Sequence, residues 1–561
     1  MRFDTKRVMK PLFAALLVAF PALAAAQTAQ PVAPGAGAIL QQIQPVTPPS
    51  PSSTGTGLTI DRGDGAKLPP GAPFLVKTLQ ITGNTLFDTP TLHALVADAE
   101  GKSLTLSQLG ELAARITGYY QSRGYPLARA IIPAQTIASG IVRIEVIEAR
   151  YGQISLDNRS RVNNSLLQAT LSPLQSGQVI GQTGLDRTLL LLSDIPGVLV
   201  AATLKPGQAV GTSDLLVNTT PGPAVTGNVV LDNYGNRYTG RARIGGTVNV
   251  INPLQHGDVL SVTGLSSGSG LNYGRITYES LLNGQGTRIG GSYAALRYEL
   301  GEPLAALKAN GSAQVGSLWA KHPLVRSRDA NLYGQIQYDG KQLRDRIDTS
   351  GIRTDRHLDN WTLSLAGDAL LFGGINSWNL GWTSGRVGFD DSAAQLTDAA
   401  TARTQGGFSK WNANLARLQS LSPKNALYLA FSGQWANTNL DSAEKMSVGG
   451  PSTVRAYDVG ALSGDTGYLA TAEFRHDLGS GWNGRWQAVA FVDTARVTVN
   501  KNVWVAGTNS ATLSGAGLGL NWAGPNQWRA RTYIATRLGS TPTLVASSAS
   551  TRAWVEISKG F

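Results

Sequence analysis

The chain of 561 residues contains no cysteine. That one absence removes disulfide frameworks, thiolate metal sites and cysteine nucleophiles together. Charged residues are scarce at 15%, although Lys and Arg exceed Asp and Glu to give a formal charge of +12. No basic run or aromatic–basic cluster accompanies the excess, which sets nucleic-acid binding aside. Histidine is thin and scattered. His93, His256, His322, His357 and His476 show no metal-ligand spacing. Past the first residues, no run is apolar for the roughly 20 residues that a membrane-spanning helix requires.

Enzyme motifs fail in the same way. The "GKS" at Gly101–Ser103 resembles the end of a phosphate loop, but Val96 stands where the earlier glycine belongs. Ser103 or Thr105 reads instead as a helix cap. His476 and Asp477 offer two members of a triad without a nucleophile-elbow serine, and neighbours on a strand point to opposite faces. No catalytic residue, cofactor site or metal site is expected.

What the chain does contain begins with an export signal over residues 1–26. Lys6, Arg7 and Lys10 precede the apolar "PLFAALLVAFPAL", and Ala24–Ala26 supply the small residues for cleavage before Gln27. Residues 27–73 are a Pro/Ser/Gly-rich linker in which "AILQQIQ" (Ala38–Gln44) has room for two helical turns between Gly37 and Pro45.

From Phe74 the texture becomes strand, helix, helix, strand, strand. Pro90 marks one helix start, and Leu109, Leu112, Ala113, Ile116 and Tyr120 recur at helical spacing in the next helix. The same order repeats after Ala149. Two βααββ units, 74–148 and 149–221, are expected, and tandem α+β units of this size bind partners.

Residues 222–561 lose helical periodicity. Segments of about ten residues alternate in polarity between Gly-, Asn- and Asp-rich turns. In "RARIGGTVNVI", Arg241, Arg243, Thr247 and Asn249 oppose Ala242, Ile244, Val248 and Val250. Sixteen such strands, centred from near residue 229 to near 556, make an antiparallel transmembrane barrel with an aqueous lumen. Arginines alternating with apolar residues predict a lumen wall with few apolar groups. In the last strand, Lys559 falls on the lipid side, where it must snorkel.

The segment "VGGPSTVRAYDVG" (Val448–Gly460) interrupts this pattern with a lone Arg455 and Tyr457. Glu473 and Arg475 on the following strand, and Phe491 and Asp493 on the next, share the lumen face by alternation. A carboxylate half-buried there needs a cationic partner, and a loop over 445–466 folded inward would bring Arg455 to Asp493. An exposed loop with a solvated arginine fits the periodicity equally well.

These stretches resemble the outer-membrane transporters of two-partner secretion (type Vb, the TpsB family), which serve filamentous haemagglutinin and haemolysin-type exoproteins. "IPAQTIASGIVRIEVIEARYGQI" is similar to the junction of that family's two POTRA domains. "VRAY", Val454–Tyr457, is similar to the inward-loop motif, and "FVDTARV" to the barrel-wall motif containing Phe491 and Asp493. Ala456 departs from the family's usual glycine and would be strained at positive φ.

The resemblance implies a monomeric transporter in the bacterial outer membrane, with POTRA domains in the periplasm and lipid around its barrel. It implies a large exoprotein partner (adhesin, haemolysin or contact-dependent toxin) captured by its N-terminal secretion domain and threaded unfolded without ATP. It also implies an N-terminal plug helix, for which Ala38–Gln44 is the candidate. An insertase for other barrels shares these parts but usually carries more POTRA units. A passive porin would lack the periplasmic repeats.

Overall fold

The computed structural model describes residues 33–43, 55, 57–60, 71–137, 139–546 and 549–561. The export signal lies outside them. The chain opens with α1 (Ala36–Ile43) and a short strand β1 (Leu58–Ile60). The first α+β unit comprises β2 (Phe74–Val76), β3 (Thr78–Thr82), α2 (Thr89–Ala94), β4 (Lys102–Leu104), α3 (Leu106–Ser122), β5 (Arg129–Ile131) and β6 (Ile141–Ile147). Its three-stranded sheet runs β3-β6-β5, with β2 and β4 paired separately. Pro90 lies in the first turn of α2. A capping box fixes the start of α3: Gln108 donates its backbone N–H to Thr105 Oγ1, and Thr105 N–H donates to Gln108 Oε1 at 2.9 Å. The helical-spacing residues Leu109, Leu112, Ala113, Ile116 and Tyr120 are the buried face of α3 and pack on Val142, Ile144 and Val146.

The second unit contains β7 (Arg150–Asn158), α4 (Asn164–Leu171), α5 (Gln182–Ser193), β8 (Val198–Pro206) and β9 (Thr212–Pro221). Its sheet order is β1-β8-β9-β7, so part of the expected flexible linker is a strand. Leu58–Ile60 pair in parallel with Ala202–Leu204 and cover the edge that β8 would otherwise expose. Glu148 ties the end of the first unit back to that unit's own core. It accepts from the Thr85 and Leu86 backbone N–H groups at 2.7 and 2.9 Å, and from Tyr120 Oη at 2.8 Å. Burial opposes its charge, but these donors outweigh that cost and hold its carboxyl below the ordinary range.

The barrel strands follow: β10 (Val225–Asp232), β11 (Arg243–Ile251), β12 (Val259–Ser266), β13 (Leu271–Leu281), β14 (Arg288–Glu299), β15 (Ala309–Arg326) and β16 (Ala330–Ile347). Next come β17 (Ile352–Leu371), β18 (Gly374–Phe389), α6 (Ser392–Ala400), β19 (Gly406–Ser422) and β20 (Asn425–Ala436). A small hairpin, β21 (Met446–Val448) and β22 (Leu462–Gly464), precedes β23 (Thr466–Gly481), β24 (Gly484–Thr498), β25 (Ser510–Ala523), β26 (Trp528–Arg537) and β27 (Thr551–Gly560). Leaving out that hairpin, sixteen antiparallel strands close where β10 pairs with β27.

Alternation decides which side faces lipid. Val248 and Val262 are opposite each other, outward and about half exposed. Their neighbours Thr247 and Thr263 meet inside, Oγ1 to Oγ1, at 3.0 Å. Strands β14 to β20 and β23 to β25 are longer than the nine to eleven residues expected; β17 has 20. Above outward Trp361 and Leu363, its outward positions turn polar at Asp359, His357, Asp355 and Arg353. The long hairpins therefore leave the lipid and continue into the medium. Lys559 reaches carbonyl oxygens of Asn526 and Gly560 at a chain turn, as a snorkelling cation should.

The second unit docks rigidly on one end of the barrel. Arg326 holds Asp194 through two bonds of 2.7 and 2.8 Å, and Arg288 donates to the Asp194 carbonyl at 2.7 Å. Arg328 meets Asp186 at 2.6 Å. A side chain at Gly284 would come within 2.4 Å of the Ala169 backbone, so the glycine permits this close contact. This end is periplasmic; the other opens outside the cell.

Candidate functional site in the barrel lumen

The segment between β20 and β23, residues 437–465, turns inward instead of away from the barrel. Gly449, Gly450 and Gly460 take the positive φ angles (101°, 107° and 68°) that the turn requires. Ala456 takes none, so it carries no strain. Its methyl group fills the space left by Gly515, where an added Cβ would lie 2.4 Å away. Val454, Ala456 and Tyr457 are all buried against Val489, Leu513 and Ala535 of the neighbouring strands β24 to β26.

Arg455 stands at the centre. Its Nε and Nη2 donate to Asp493 Oδ2 and Oδ1 at 2.8 and 2.7 Å, and its own backbone N–H adds a third bond of 3.1 Å. Nη1 donates to Glu473 Oε1 at 2.7 Å. Arg475 grips the other oxygen of Glu473 at 2.9 and 2.6 Å. The Phe491 ring lies 3.4 Å from the Arg455 guanidinium carbon. Asp493 is fully buried and Arg455 is only 4% exposed. Two carboxylates and two guanidiniums balance in charge, Arg455 grips Asp493 bidentately and each oxygen of Glu473 accepts from a guanidinium, which makes burial tolerable. The structure thus brings Arg455, Glu473, Arg475, Phe491 and Asp493 into one contact, and the solvated-arginine alternative fails.

Sequence reasoning missed three further groups. Trp554 Nε1 donates to the Arg455 carbonyl at 2.7 Å, tying the tip to the closing strand. Asp458, at the same tip, meets Arg552 at 2.6 Å and Arg241 at 2.8 Å. Alternation had put Trp554 and Arg552 on the lumen face, but nothing in the sequence sets their height against the loop. Nearer the loop's start, Glu444 is paired with both Lys341 and Lys410.

Helix α1 lies in the extracellular half of the same lumen. It begins at Ala36, ahead of the expected start, and includes Gly37. Ala36 N–H donates to Asp345 Oδ1 at 2.7 Å, and a Cβ at Gly37 would lie 2.6 Å from the Ala443 nitrogen. Ala36, Ile39 and Leu40 pack with Leu296, Leu343 and Leu358 of the wall and with Leu440 of the loop. The upper lumen is therefore apolar, contrary to the expectation of few apolar groups. A helix of this length needs such a surface in order to form. Gln41 donates to the Ala443 carbonyl, and Asn236 donates to Gln42 Oε1 at 2.7 Å. Arg356 connects helix and loop: it meets Asp345 at 2.7 Å and Asp441 at 2.5 Å. Below α1 remains a polar cavity of about 900 Å³, lined by Gln42, Arg243, Arg275, Arg475, Tyr533 and Glu556 among others.

A lipid-facing barrel of sixteen strands, two α+β units at its periplasmic end and a lumen occupied by the chain's own segments define an outer-membrane transporter. The comparisons with known proteins place it further. A family model described as haemolysin secretion/activation protein ShlB/FhaC/HecB matches residues 211–522, and a ShlB-type POTRA model matches residues 74–149. The chain belongs to that family of two-partner secretion transporters.

The heme/hemopexin transporter protein HuxB of Haemophilus influenzae strain 86-028NP is 30% identical over 393 residues, covering 70% of each chain. The outer membrane transporter CdiB of Escherichia coli is 24% identical over 463 residues, covering 80% of this chain and 77% of its own. The solved structure of CdiB from Escherichia coli shares the fold, with a TM-score of 0.70 at 21% identity over 93% and 95% of the two chains.

Proposed function

We propose that this transporter exports one large exoprotein, and that the inward loop and α1 are the two parts that must yield to let it through. The observation that carries this reading is where those parts sit: Arg455 pins one inside the lumen to Asp493 of the wall, and α1 occupies the space above the cavity. Val454, Arg455, Ala456 and Tyr457 form the loop's latch, Phe491 and Asp493 its keeper, and Glu473 and Arg475 balance the charge. The POTRA domains hold the partner's N-terminal secretion domain in the periplasm, by strand addition or groove contacts. The exoprotein then passes unfolded. Folding outside the cell, rather than ATP, supplies the direction. A single chain suffices, because its lumen is enclosed by its own strands.

The test is secretion. The protein is co-produced with a candidate large exoprotein carrying an N-terminal secretion domain, and cargo is assayed in the medium with barrel levels matched. Export by wild type and loss in Arg455→Ala is the expected result. Export by both leaves the latch a structural role only. Cargo held in the periplasm beside a folded barrel overturns the pairing. Nucleotide-free proteoliposomes that still pass cargo test the energy source.

A further inference from the structure

The outer wall can be followed upward one outward position at a time. Part-way up β14, β16, β17, β18 and β19, Tyr293, Tyr338, Trp361, Trp382 and Trp411 face outward; Tyr293, Trp361 and Trp411 are about half exposed. Such a belt marks the boundary between hydrocarbon and headgroups. Beyond it, still outward and all exposed, come Arg297 on β14, Arg344 on β16 and Arg386 on β18. At about 3.3 Å per residue and a tilt of about 40°, the three stand roughly 10–15 Å above the belt. This is headgroup depth.

Arg297 and Arg344 both stand in register with Ser312 of the intervening strand. Two inter-strand spacings, about 10 Å, thus separate their backbones. The carboxylates on this face are mostly engaged elsewhere. Asp355 is held by Arg346 at 2.5 and 2.8 Å, Asp359 accepts from Tyr338 Oη at 2.7 Å, and Asp390 faces His357 at 2.7 Å. Glu299 is exposed nearer the rim. Asp355 and Asp359 stand opposite Arg344 and Arg386 in register, but among the described residues no ion pair within 4 Å engages Arg297, Arg344 or Arg386. The opposite wall differs: its outward positions near the rim are Thr512, Thr536 and Thr551, with Arg496 alone beside Tyr468.

We propose that Arg297, Arg344 and Arg386 form a docking site for the phosphate groups of a phosphorylated glycolipid of the outer leaflet. Guanidinium matches phosphate with two parallel N–H donors, and Ser312 adds a hydroxyl between two of the arginines. The bound lipid grips from outside the same strands, β14 to β16, on which α1 packs from inside.

The test uses the purified full chain in detergent, with binding of bisphosphorylated hexa-acyl lipid A read by native mass spectrometry. Folding of each variant is checked by heat-modifiable mobility. The variant R297A/R344A/R386A is expected to bind about tenfold more weakly, and wild type to prefer the bisphosphorylated lipid over its dephosphorylated form by a similar factor. R496A on the opposite wall should bind as wild type does. Undiminished binding by the folded triple variant overturns the site, as does an equal loss in R496A. If the triple variant does not fold, the lipid pair decides: wild type holding both forms equally well also overturns it.

Discussion

Two segments of one chain occupy the lumen, and they are held in opposite ways. The loop tip is continuous with the wall at both ends, and its anchor is a buried charge network around Arg455. Helix α1 belongs to the N-terminal region outside the barrel wall, and its anchor is an apolar face with a few polar bonds at its ends. A buried, fully paired ion cluster resists partial disruption, because losing one member strands the others in low dielectric. An apolar helix can leave a wet lumen gradually, at the cost of the area it exposes. The proposed latch is therefore held by paired charge, and the proposed stopper by apolar packing.

The comparison breaks most sharply at Arg455. Arg455→Ala leaves Asp493 buried beside Glu473 with no cation at bonding distance, at a cost of about 3–5 kcal/mol. The expected outcome is a loop tip open to added protease while α1 stays protected. Arg455→Lys should open it nearly as far, since a single ammonium cannot span both carboxylates. A tip equally protected in all three proteins would show that Trp554 and Asp458 hold the loop without the arginine.

Leu40→Ala acts on the other segment. Leu40 is buried against the upper wall, and its truncation costs about 2–3 kcal/mol, the low end for leucine because water can enter the space. Conductance in a planar bilayer should rise while loop protection is unchanged. A conductance equal to that of wild type would mean that α1 does not limit the pore.

Much of this was legible in advance. Sixteen strands follow from period-two polarity, which also places Glu473 and Asp493 on the lumen face. Whether the loop brings Arg455 to them it leaves open, and the family resemblance of "VRAY" and "FVDTARV" supplies that expectation. What period two cannot give is height. Trp554 and Arg455, or Arg356 and Asp441, lie far apart in sequence, and only register and shear bring them level. Strand length escaped for a related reason: alternation looks the same above the lipid as within it, and only the change from Trp361 to Asp359 and Arg353 marks the exit. Leu58–Ile60 escaped because three residues in a Pro/Gly-rich linker carry no pattern until β8 supplies the partner.

Asp345→Asn tests whether latch and stopper communicate. Asp345 accepts from the α1 backbone and from Arg356, and Arg356 in turn holds Asp441 of the loop. An asparagine keeps the shape but loses the charge, at a cost of about 1–2 kcal/mol. If the two segments are coupled, conductance and protease access should rise together, each less than in the direct variants. Conductance rising alone would make them independent.

The smallest effect is expected at the tether. Thr59 lies in register with Thr203, and proline in its place removes an N–H from the parallel pairing, worth about 1 kcal/mol. Release of β1 lengthens the free chain behind α1 and uncovers the edge of β8. Two readouts separate those consequences. Amide exchange on β8 should quicken because its partner is gone. Conductance should rise only slightly, because the apolar face of α1, rather than its tether, retains the helix. A rise in conductance matching that of Leu40→Ala would reverse this ranking: the stopper would then be held from the periplasm by its linker, and its packing in the lumen would be secondary.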